Sequence, residues 1–236
     1  MDARIKSEVL RHRAEVLDRE YVLVEQAQAS LNGTCRRFVD IGCGPYGLLG
    51  KMGDRLAALK PSSIGIDIDQ AALRTNPNIT HRVCASCYSL PLESNSVDLI
   101  ACRWVFEHLE HPEQALSEFS RVLRKGGVVY IKTPNLWNYG MMISWATPTV
   151  LHNVFLTLAG FGENTPTYYR ANTKHQLAKL ATKTGFVVRN LEAHSSSYMY
   201  YSFNKELFVT MRGLSRIVGK TTDSMKQLLL CVLEKT

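Results

Sequence analysis

The feature that most restricts the fold lies at residues 39–47, Val-Asp-Ile-Gly-Cys-Gly-Pro-Tyr-Gly, where a short apolar run ends in glycines and passes into a helical pattern from Leu48. Glycines at a strand-to-helix turn let backbone approach a ligand closely, and the following helix offers amides that lack intrahelical partners. Such a loop predicts a nucleotide-like cofactor. The rest of the chain repeats the rhythm it begins. Strands are predicted over 37–41, 63–68, 79–84, 97–102 and 128–133, with helices over 48–59, 112–123 and 172–184 and two last strands over 186–191 and 227–233. Strands that alternate with helices need crossovers, so they pair in parallel and helices cover both faces. The expected fold is α/β, a three-layer sandwich.

The length of 236 residues suits one domain with elaborations, and 45% apolar with 21% charged residues exclude a disordered, collagenous or disulfide-scaffold chain. Residues 1–30 read as an N-terminal helical segment, with Ile5, Val9, Leu10, Val16, Leu17 and Val24 near helical spacing. Residues 31–236 form the main domain, interrupted over 134–170 by an apolar, aromatic insertion read as a helical lid. The net charge of +7 sits in the last third, where residues 170–236 hold 11 basic and 4 acidic side chains. No arginine-rich run or basic-aromatic stripe accompanies it, so no nucleic acid partner is expected. Six cysteines without an apolar leader suggest reduced thiols and a cytoplasmic location. Cys84 and Cys87 lack the second pair that a structural zinc needs. Pro148, His152 and Asn153 interrupt the insertion, which argues against stable membrane insertion.

Two acids flank the loop. Gly42, Gly44 and Gly47 satisfy G-x-G-x-x-G and Asp67 follows Gly47 by 20 residues, as a nicotinamide dinucleotide site would also require. Asp40 separates the two readings. A carboxylate at the loop mouth repels a pyrophosphate and favours a ligand with an ammonium and a sulfonium, directly or through water, as in S-adenosylmethionine. Asp67 suits two ribose hydroxyls; the alternative is a helix cap, a role open to Asp69 as well.

From residue 36 to 135 the chain resembles the class I S-adenosylmethionine-dependent methyltransferases, above all their type 11 group. The motifs are the glycine loop, Gly65-Ile66-Asp67, Leu90-Pro91-Leu92, Ser96-Val97-Asp98-Leu99-Ile100, Phe106-Glu107-His108-Leu109 and Arg121-Val122-Leu123-Arg124-Lys125-Gly126-Gly127. The resemblance implies a Rossmann-like seven-stranded, mostly parallel sheet of order 3-2-1-4-5-7-6. It implies that Asp40, Gly42 and Gly44 hold the methionine end, Asp67 the ribose and Ile68 one adenine face, with Cys43 and Gly47 also among the cofactor-binding residues. Ser86 and Cys87 stand where the family has an acid for the adenine amino group. Arg103 is grouped with the cofactor site, with a place beside Trp104 in the acceptor pocket and a plain surface charge as the alternatives.

Direct methyl transfer depends on aligning acceptor, methyl carbon and sulfur. A hydroxyl acceptor must also lose a proton, and His108 is the candidate base; the alternative is a histidine that closes a turn before Pro112. Relatives that bind a divalent metal have an acid where this chain has Trp104, so no metal is expected. Trp104, Trp137, Tyr139, Tyr169 and Arg170 are the candidate acceptor-binding residues, although aromatics there also serve to pack the lid. The expected activity is methylation of a small-molecule acceptor, glycan-linked molecules included, more readily at oxygen than at carbon or nitrogen. A non-catalytic protein with this fold and an NAD(P)-dependent oxidoreductase are the competing readings.

Overall fold

The computed structural model describes residues 3–31, 35–138, 166–194, 204–221 and 225–236. Its first element, α1 (Ala3–Ala29), buries Ile5, Val9, Val16, Leu23, Val24 and Ala27 along one stripe. Leu10 departs from the expectation and is 55% exposed, because one residue beyond Val9 turns about 100° around the helix. The stripe also contains Glu20, which is fully buried.

The sheet comprises β1 (Phe38–Ile41), β2 (Ser63–Asp67), β3 (His81–Cys84), β4 (Val97–Arg103), β5 (Leu123–Pro134), β6 (Phe186–His194) and β7 (Leu228–Lys235). Their order across the sheet is 3-2-1-4-5-7-6. β1, β2, β3, β4 and β5 run parallel, whereas β7 is antiparallel to both β5 and β6. The architecture is the expected Rossmann-like sandwich.

Among the described residues the further helices are α2 (Gly47–Met52), α3 (Gln70–Thr75), α4 (Pro112–Val122), α5 (Lys174–Lys183) and α6 (Lys205–Thr221). The helix predicted over 48–59 divides, because Gly53 at φ 55° cannot continue an α-helix, and a 3-10 helix runs on from Gly53 to Ser62. The sequence reading contained no α6. Its buried Phe208, Met211 and Ser215 are matched by exposed Val209, Leu214 and Ile217, so no clean apolar stripe announces it.

Each sheet face buries its own core. Alternate strand residues such as Val39, Ile100 and Ile131 meet Leu116, Phe119 and Leu177 of α4 and α5. Phe38, Leu99 and Tyr130 face the other way, toward Leu23, Val24 and Leu48 of α1 and α2. A smaller cluster of Ile5, Val9 and Phe208 ties α1 to α6. Among the described residues no helix is long and apolar enough to cross a membrane.

Candidate functional site

The carboxyl ends of β1, β2, β4 and β5 meet along one sheet edge, the place where doubly wound folds bind ligands. At β1 the chain turns through Gly42 (φ 65°), whose N–H donates to Ile66 O at 2.7 Å. A side chain there would overlap Val105 Cγ2, and one on Gly47 (φ 57°) would overlap Asp40 Oδ2. Only glycine fits either position. Asp40 is 1% exposed and accepts Leu48 N–H at 2.6 Å, so its carboxyl braces the loop from beneath. Burial pushes it up to about 7, against the Leu48 amide and the Arg103 charge.

Cys43 turns its side chain inward. Its side chain is buried with Leu48, Leu49 and Ile79, and burial raises its thiol to about 12. Asp67, by contrast, ends β2 with Oδ2 accepting Gly44 N–H at 2.8 Å and Oδ1 accepting Asp69 N–H at 2.9 Å. The cap of α3 is Asp69, which accepts from Ala71 and Ala72 at 2.8 and 3.1 Å. Each Asp67 oxygen retains a lone pair. Ile68 follows at 76% exposure, an apolar ledge beside the carboxylate. Across from it lies the loop after β3, where Ser86 Oγ accepts Tyr88 N–H at 3.2 Å. Cys87 packs half-buried against the core, and burial pushes its thiol up to about 11.

At the end of β4 the structure shows a cluster that the sequence reading missed. Arg103 gives Nε to Glu20 Oε2 at 2.9 Å and Nη2 to Glu20 Oε1 at 3.5 Å. Lys132 Nζ donates to Glu20 Oε1 as well. Burial lowers the Lys132 pKa while Glu20 opposes that fall. Arg103 is therefore a buried ion-pair partner of α1, not a plain surface charge. Trp104 adopts φ 58°, donates its N–H to Lys132 O at 2.8 Å and sets its ring 5.1 Å from Lys132 Nζ. One sequence signal marks Glu20: it falls four residues after Val16, on the buried stripe of an amphipathic helix.

Beyond β4, the short 3-10 helix Phe106–His108 carries a second network. Glu107 is 4% exposed and accepts from Thr133 Oγ1 at 3.0 Å, and that hydroxyl accepts from Asn172 Nδ2 at 2.7 Å. Burial raises the Glu107 pKa, with its own backbone amide, His108 and Thr133 acting the other way. The Glu107 carbonyl accepts the amides of Tyr168 and Tyr169 at 2.7 and 3.2 Å, so the end of the insertion is tied to this turn. His108 Nδ1 lies 2.9 Å from Pro166 O. A carbonyl only accepts, so Nδ1 carries a proton, and in the neutral tautomer that leaves Nε2 as the acceptor. Nε2 lies 4.0 Å from Glu107 Oε1. The expected turn also exists, through His108 N–H to Val105 O at 2.9 Å. Closing the turn is a task of the backbone and does not use the ring.

Of the other acceptor candidates, Trp104 and Trp137 are 37% and 57% exposed. Tyr169 is half-buried with φ 51°. Arg170 is exposed, 3.9 Å from Glu110 and stacked near Tyr168. Tyr139, like most of the insertion, lies outside the described residues.

Comparison with known proteins agrees with this edge. Residues 39–131 match the methyltransferase domain family. The ubiquinone/menaquinone biosynthesis C-methyltransferase UbiE of Campylobacter jejuni is 23% identical over 175 residues, covering 71% of this chain and 74% of its own. The ubiquinone biosynthesis O-methyltransferase of Cupriavidus pinatubonensis is 29% identical over 108 residues, 42% of each chain. The chain spans only 30% and 38% of the length of two curated relatives that are 37% and 36% identical to it. Among solved structures, a SAM dependent methyltransferase from Archaeoglobus fulgidus superposes with a TM-score of 0.58 at 18% identity, over 93% of this chain and 94% of that one. Geranyl diphosphate C-methyltransferase from Streptomyces coelicolor, in complex with S-adenosyl-L-homocysteine, gives 0.59 at 15% identity, over 100% and 85%.

The residues of the edge fit an adenosyl ligand on three counts: a buried acid braces the loop, Asp67 has open lone pairs, and nothing lies within 4 Å of the space above Gly44. Residues 39–131 match the methyltransferase domain family, and the sheet order and these neighbours give the chain the fold of the class I S-adenosylmethionine-dependent methyltransferases, whose cofactor is S-adenosylmethionine.

Proposed function

We propose that this chain transfers a methyl group to a small-molecule acceptor and that the acceptor atom is oxygen. When bound, S-adenosylmethionine supplies an electrophilic methyl group on a sulfonium. Everything else falls to the residues of the sheet edge. The backbone of Gly42, Gly44 and Gly47 receives the amino-acid end, Asp67 the ribose hydroxyls, Ile68 one face of the adenine, and the Ser86-Cys87 loop its edge. Asp40 holds the loop in shape from below. Trp104, Trp137, Tyr169 and Arg170 line the acceptor side and exclude water from it.

The observation that carries the oxygen assignment is His108. Its Nδ1–H is committed to Pro166 O, so the bare Nε2 takes the proton that a hydroxyl acceptor loses as its oxygen bonds the methyl carbon. The imidazolium formed is then stabilised by Glu107, held in turn by Thr133 and Asn172. A nitrogen acceptor attacks through its free lone pair and needs no base for the transfer itself, whereas the proton of an acidic carbon acceptor would go to the same Nε2, so the acceptor panel decides between carbon and oxygen.

The test is methyl transfer to a panel of phenols, catechols and aliphatic alcohols, repeated with His108→Asn. The substitution should lower turnover about 100-fold or more with cofactor affinity unchanged. Full activity of the variant across pH, or transfer to carbon acceptors alone, overturns the assignment.

A further inference from the structure

The ion cluster beneath the edge gives α1 a part in the cofactor site. Glu20 is fully buried and meets two cations, Arg103 and Lys132, so these three side chains carry one positive charge in excess, balanced only by the Asp40 carboxyl when that group is ionised. A buried charge left unbalanced is costly, and an anion that completes the set recovers that cost. Arg103 stands where such an anion would meet it. In the β1 to β4 register Asp40 lies opposite Ala101, which places Arg103 two residues further along the same face, at the mouth of the glycine loop. The Nε and Nη2 edge of its planar guanidinium is occupied by Glu20, and Nη1 has no protein partner among the described residues.

We propose that Glu20 is a positioning residue: from α1 it clamps one edge of the Arg103 guanidinium, so that Nη1 receives the carboxylate at the amino-acid end of the cofactor. This rests on the methyltransferase reading and adds an element outside the span that matches the family, since α1 ends before residue 39. Lys132 shares Glu20 and carries the Trp104 ring over it, so the same clamp fixes the left-handed turn that leads toward the acceptor side.

The experiment compares two nucleosides by calorimetry. S-adenosylhomocysteine has the amino-acid end; 5′-methylthioadenosine has the same adenosine and thioether without it. Glu20→Gln should weaken the first about tenfold or more and change the second less than about twofold, and Glu20→Asp should restore part of the loss. A purely structural role for Glu20 predicts that both affinities fall together, and that result, or no change in either, overturns the proposal. Should Glu20→Gln fail to fold, Arg103→Lys keeps a buried cation for Glu20 and removes the second edge of the fork, and the same pair of ligands decides. Failure of the unaltered protein to bind either nucleoside would instead refute the methyltransferase reading itself.

Discussion

Replacing Asp40 by Asn isolates what burial does to the carboxyl that braces the glycine loop. The folded protein raises its pKa from the usual 3.8 to about 7, and each pH unit between those values is worth about 1.4 kcal/mol. The total is about 4 kcal/mol. A carboxyl whose pKa is raised on folding binds its proton more tightly in the folded state. Its stabilising contribution is therefore complete below the unfolded value, and is lost as pH rises toward about 7. Asn keeps an oxygen for the Leu48 amide but does not titrate. Its buried Nδ2 adds a constant cost of about 1–3 kcal/mol, so the variant starts less stable at pH 4 and gains on the parent up to neutrality. Urea unfolding of both proteins from pH 4 to 8, followed by circular dichroism, gives the difference directly. Glu107, His12 and His194 also have shifted pKa values, but they are common to both proteins and cancel. Parallel stability curves across this range would refute the reasoning, because they would mean that Asp40 reaches water in the folded state.

Asp67→Ala removes both the Gly44 contact and the proposed ribose acceptor, and calorimetry should show S-adenosylhomocysteine binding weakened about ten- to a hundredfold. Asp69→Ala should cost about 1 kcal/mol of unfolding free energy as a lost helix cap while leaving that affinity within about twofold; a larger loss of binding would move Asp69 into the site. Gly42→Ala places a side chain at φ 65° against Val105, and thermal unfolding should show a loss of about 2 kcal/mol or more. An unchanged midpoint would mean that the loop relaxes without strain.

The sequence determined the sheet and the place of the cleft. Central strands that are mostly apolar, such as β1 and β4, separated by helices with start and stop signals such as Pro112 and Gly185, leave few alternatives to a parallel sandwich, and these are local properties of neighbouring residues. The glycine loop was equally legible, since the need for positive φ is written in the residue type. What pairs across long separations was not. Glu20 lies 83 residues from Arg103 and 112 from Lys132, and in a linear reading it is one more acid on a charged helix. The same holds for Glu107, whose link to Thr133 and Asn172 joins three elements. Sequence patterns report which face of an element is apolar. Only tertiary packing decides which polar groups share the space left between those faces, and it is there that burial and neighbouring charge give Asp40, Arg103, Glu107 and His108 their chemistry.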